Sequence, residues 1–165
     1  MSLNISEGTN EIKKTKKSFD TQVSAAEQFE KDGEKTDELA GRIDGEGLDS
    51  GTADAIRDVL SGLSEAYTKK ITEVEKEIQK VSNQVKDNVS GLRESEEKVN
   101  KNAETYEQMA SVSDVGRAAA ESGRRKMESD SQEYGKLIEE NEAQMEEAEE
   151  KGKSAATSIR GMFKR

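Results

Sequence analysis

The sequence contains no proline, no cysteine, no histidine and no tryptophan, and only six aromatic residues, three Phe and three Tyr. Each absence excludes something. Proline costs about 3 kcal/mol inside a helix, so a chain of long helices avoids it, whereas disordered chains are enriched in it. Without Cys there are no disulfides, no thiolate chemistry and no Cys-ligated metal. Without His or Cys the usual general base, nucleophile and transition-metal ligands are missing. Apolar residues are also scarce, at 30% of 165 residues, against 38% charged. A compact globule runs nearer half apolar, so a thick central core is not expected. Two structures tolerate such a composition: a disordered chain, or long helices joined along a narrow seam. No apolar run approaches the roughly 18 residues that span a bilayer. The formal charge of −10 sets the molecule against nucleic acid.

Periodicity favours helices. In the first stretch, residues 3–43, Ile5, Ile12, Phe19 and Ala26 fall seven apart; Phe29, Thr36 and Ile43 form a second row, with Val23 beside them. Gly8 and Gly33 lie on the same stripe and permit close approach of a neighbouring helix. Residues 44–51 then crowd three glycines among Asp and Ser, which marks a turn; Asp49 or Ser50 is placed to cap the next helix. The expected turn covers residues 44–53.

The second stretch is the most regular. From Ile56 through Leu60, Leu63, Tyr67, Ile71, Val74, Ile78, Val81, Val85 and Val89 to Leu92, apolar residues step by three or four. Ile78, Val85, Leu92, Val99 and Tyr106 make a strict heptad row, read as a buried coiled-coil seam. A helix over residues 54–110 would be roughly 85 Å long. The third stretch starts near Ser113 or Asp114, and Ala120, Met127, Tyr134, Asn141, Ala148, Ala155 and Met162 again fall seven apart. Ile138, Met145 and Ile159 adjoin them, interrupted by Gly152. This seam is small and Met-rich, hence adaptable, and Asn141 within it is of the type that sets register. The expected fold is therefore all-α: an elongated antiparallel helical hairpin, or a three-helix coiled-coil bundle of very long helices. Residues 1–110 form the hairpin and residues 111–165 the third helix.

Charge is segregated at the end of the chain. Residues 139–150 hold seven Glu and no base; residues 151–165 hold five bases and no acid, with Ile159, Met162 and Phe163 among them. A basic amphipathic tail suits anionic lipid, so membrane contact is expected only through this tail; a helix end whose cations oppose the dipole is the commoner meaning. The carboxylates elsewhere lie on solvated helical faces. Asp44, Glu46 and Asp49 around the turn glycines lack the ligand spacing of a calcium loop. No catalytic, cofactor or metal site is expected, and the chain reads as a binding protein and not an enzyme.

The order helix, glycine-bearing turn, longer helix over residues 3–110 resembles the Trp-Xaa-Gly and Leu-Xaa-Gly superfamily of type VII secretion substrates and partners. The resemblance rests on the turn and Ala-rich helix start, residues 47–56, and on Tyr106 late in the second helix. Leu48 stands in place of the family's Trp, three residues before Gly51. Leu39-Ala40-Gly41 matches Leu-Xaa-Gly inside the first helix, and the fourth residue after Tyr106 is Ala110 where the export signal has an acid. The resemblance implies a helical partner or targeting module of a secreted effector, acting by helix association, with Leu48, Gly51 and Tyr106 as the partner-binding or signal candidates. The alternatives are a self-assembling coiled-coil scaffold and a peripheral membrane tether. Residues 1–6 carry no basic or apolar signal region, so the expected location is cytoplasmic, or exported without a cleavable signal peptide.

Overall fold

In a computed structural model, residues 2–43, 47–112 and 114–163 are described. The chain forms three long helices packed against each other, with no strand among the described residues. They are α1 (Ile5–Arg42), α2 (Ser50–Val112) and α3 (Arg117–Met162). The all-α helical bundle agrees with the stripes. Three boundaries differ from expectation. The second helix starts at Ser50, not at residue 54, so the turn ends before residue 50 and not at 53. The cause is Asp49, whose carboxylate accepts both the Thr52 N–H (2.8 Å) and the Thr52 hydroxyl (2.9 Å), while the Ala53 N–H already reaches the Asp49 carbonyl. The second helix also continues past Ala110 to Val112. The third begins at Arg117, after a turn in which the Arg117 N–H donates to the Asp114 carbonyl. Asp44 and Glu46, proposed for the turn, and Ser113, proposed as a helix start, lie outside the described residues.

All three helices contribute to each of two compact units, one comprising Met1–Lys17 and Ser82–Met145, the other Ser18–Val81 and Glu146–Arg165. Helices lying side by side touch more residues of their neighbours than of their own far turns.

In the first unit, α1 has a built start. The Glu7 N–H donates to the Asn4 side-chain oxygen at 2.7 Å while the Glu7 carboxylate accepts from the Asn4 backbone and amide, a capping box with Asn at its head. The preceding Leu3 is fixed to α2, its N–H on the Gly91 carbonyl (3.3 Å) and its carbonyl accepting from the buried Ser95 hydroxyl. Ile12, Val85, Leu92, Tyr134 and Ile138 are buried here. Gly8 gives α1 a close approach: a Cβ on it would stand 2.7 Å from Leu92 Cδ2 and 3.3 Å from Leu137 Cδ1, so those leucine ends would have to shift. Arg93 of α2 pairs with Glu142 of α3 at 2.7 Å, and Tyr106 lies over Gly123, so α2 and α3 run antiparallel.

This unit also carries the polar flaw of the core. Asn141 is fully buried, its amide donating to the Leu137 carbonyl at 2.8 Å while its own oxygen has no protein partner. The buried Ser82 hydroxyl, Asn88 amide nitrogen and Gln144 amide oxygen are likewise unpartnered. Such groups cost about 1–3 kcal/mol each.

In the second unit the core is made of small layers. Phe19, Ala26, Ile71, Val74 and Ile78 are buried in it, and so are Ala148, Ala155, Ala156 and Ile159. A Cβ on Gly152 would fall 2.5 Å from Ile78 Cδ1, so this glycine, an interruption in the seam by sequence, sits directly against an α2 side chain. Arg160 reaches across to the Glu75 carboxylate and to the Thr72 hydroxyl (3.2 Å). The Glu75 contact raises the already high Arg160 pKa and keeps the guanidinium charged.

Candidate functional site

The most regular stripe in the sequence is not buried along its whole length. Within the second unit, the N-terminal part of α2 leaves Ile56 (36%), Leu63 (39%) and above all Val59 (64%) exposed. Leu39 of α1 (53%) and Leu48 of the turn (41%) are exposed beside them. Together with Leu60 these residues line a groove of about 910 Å³, at the upper end of the range for small-molecule sites. Its charged lining residues are Arg42 and Asp49, one of each sign. Asp49 is the cap of α2, and its hydrogen bonds from Thr52 hold its carboxyl below the ordinary value.

The geometry explains the exposure. The hairpin made by the end of α1 and the start of α2 has two flanks. On one, a smaller cleft of about 370 Å³ is lined by Thr36, Ile43, Leu60, Ser61 and the last described turn of α3, Met162 and Phe163. On the other lies the large groove, to which α3 contributes no described residue. Two adjacent helices cannot enclose side chains that project to a flank without a third.

The sequence-derived candidates fall in different places. Leu48 lines the groove, and so does Gly51, which lies in the first turn of α2 and touches Asp49. Gly47, just before, is the described glycine with positive φ (66°), so the turn needs a residue without Cβ there. Leu39-Ala40-Gly41 is helical, and of the three only Leu39 lines the groove. Tyr106 lies elsewhere, in the first unit, its ring packed over Gly123; a Cβ on that glycine would be 2.5–2.8 Å from ring carbons. Of the seam row, Ile78, Val85 and Leu92 are buried and Val99 is half-buried.

Sequence reasoning missed Val59, which belongs to neither heptad row. The available signal was that Val59 and Leu63 widen the apolar face beyond what one neighbouring helix covers. It also missed the buried hydroxyls of Thr15 and Ser82, although Thr15 stands seven residues after Gly8.

The tail packs its apolar side inward where it is described, while Lys151, Lys153 and Arg160 stay exposed. Ile159 is buried, Met162 lies against Gly33 (3.2 Å from an ideal Cβ to its sulfur), and Arg160 is held by Glu75. Lys164 and Arg165 lie outside the described residues. No helix among the described residues is long and apolar enough to cross a membrane, and no group of three or more His, Cys, Asp or Glu among them is placed to hold a metal. Comparison with protein-family models, curated proteins and solved structures finds no match to this chain.

Proposed function

We propose that the chain is a helix-binding protein whose α1–α2 tip receives an amphipathic helix of a type VII-like secreted effector. The observation that carries the helix-binding reading is the exposed apolar face of Leu39, Leu48, Ile56, Val59 and Leu63, open on a hairpin whose other flank is already lined by a helix end. An added helix on the open flank would complete a local four-helix arrangement, the usual way in which two-helix hairpins bury their sides. The assignment to a secreted effector comes from the turn's resemblance to the type VII superfamily.

The test is isolation of the full chain from its native organism, wild type against Val59→Asp, with the bound proteins identified. Val59 is mostly exposed, so the substitution should change stability by no more than about 0.5 kcal/mol and abolish co-purification of a helical effector. An effector retained equally by both proteins overturns the groove as its site. A dimer of the purified wild type in light scattering that Val59→Asp dissolves would give the groove to a second copy instead.

A further inference from the structure

The first unit changes character along α2. Where α1 accompanies it, α2 presents Val85, Val89, Leu92 and Ser95 as buried residues. The start of α1 is fixed at this level by the Leu3 contacts to Gly91 and Ser95, with Lys98 near the Ser2 hydroxyl at 3.4 Å. Beyond it, residues 96–112 of α2 are all half-buried or exposed, and among the described residues of α3 before Tyr134, Ala120 is the buried one. Here two helices run together without a third. Val99, Ala103, Tyr106 and Ala110 are each half-buried, and Met109, Val112 and Val115 at the tip are 56%, 84% and 97% exposed. The ion pairs Lys101–Glu97 and Arg124–Glu128 join neighbours in one helix, so they stiffen each helix without fastening α2 to α3. The ring of Tyr106 lies over Gly123 across the pair.

We infer that residues 96–112 of α2 and 114–133, leading into and along α3, form an arm that opens and re-forms independently of the three-helix part of this unit, with Tyr106 on Gly123 as its latch. Local openings follow the density of buried contacts, and regions poor in them open at free energies well below global unfolding. The helix α2 is continuous, but its amides report two environments: one enclosed on both sides, one with a single neighbour. An element with a substantial open population is also one whose balance a bound partner can shift.

Hydrogen exchange on the full chain, read by mass spectrometry, tests this. In the wild type, amides of residues 99–110 should exchange about 100-fold faster or more than those of residues 85–95 in the same helix. Tyr106→Ala should accelerate residues 99–110 and 120–131 by a further factor of about 10, leaving residues 85–95 and 5–15 unchanged. Tyr106→Phe, which keeps the ring, should behave as the wild type. Uniform protection along α2, a Tyr106→Ala effect shared equally by both segments, or none in the arm would each overturn the inference. The wild-type comparison holds whether or not the alanine variant folds.

Discussion

Val85→Asp is expected to lower stability by about 3–5 kcal/mol, because it places a carboxylate without a partner where the side chain is fully buried. Domains are stable by about 5–15 kcal/mol in total, so this one substitution removes a large share of the margin. The neighbouring Lys86 is exposed on the same helix, and Lys86→Asp should move stability by no more than about 0.5 kcal/mol. Urea unfolding at neutral pH distinguishes them. Equal effects at the two positions would mean that the helix is rotated from the orientation described.

At Asn141 the sign depends on the replacement. Its side-chain oxygen is buried without a partner, and the Leu137 carbonyl to which its amide donates is also available to the helix's own ladder. Asn141→Leu removes the orphan acceptor and should stabilise the protein by about 1–3 kcal/mol. Asn141→Asp puts a charge in the same place and should cost about 3–5 kcal/mol at pH 7. Burial raises the folded-state pKa of that carboxyl above its unfolded value. The penalty is therefore complete above the folded pKa and disappears as pH falls through it toward about 4. Unfolding curves for both variants at pH 7 and pH 4 check the sign. A destabilised Asn141→Leu protein would show that this layer is satisfied in a way the geometry does not display.

Much of the fold was legible because heptad spacing is a direct projection of helix geometry. Ile12, Phe19 and Ala26 are buried as their spacing requires, and so are Ala148 and Ala155. What spacing does not encode is how many neighbours a helix has at each level. Ile56 and Leu63 continue the same pattern as Ile71 and Ile78, yet the first two are exposed and the last two buried, because α3 lines only one flank of the hairpin tip. The groove was half legible for the same reason. Leu48 was conspicuous as an apolar residue in a glycine-rich turn, whereas Val59 is conspicuous only once the open flank is seen. Tyr106 was singled out by its resemblance to an export signal, but the residue opposite it, Gly123, gives the ring a packing role that no single-helix pattern contains. The Asp49 cap offered by the sequence is present, and its hydrogen bonds from Thr52 begin the helix at Ser50, a few residues before the expected start at 54.

The small-residue layers of the second unit bear on how stability varies with temperature. Beside Phe19, Ile71, Val74, Ile78 and Ile159, the buried positions of this unit include Ala26, Ala148, Ala155 and Ala156 with Gly33 and Gly152, so unfolding exposes less apolar surface than a core of large side chains throughout would. The heat capacity increment of unfolding scales with that surface, and should fall below the roughly 2 kcal/mol/K of a typical globule of 165 residues. A small increment flattens the curve of free energy against temperature. Scanning calorimetry should accordingly find a broader plateau of stability, with less loss on cooling toward 0 °C, than a globule of this length with a core of large side chains throughout.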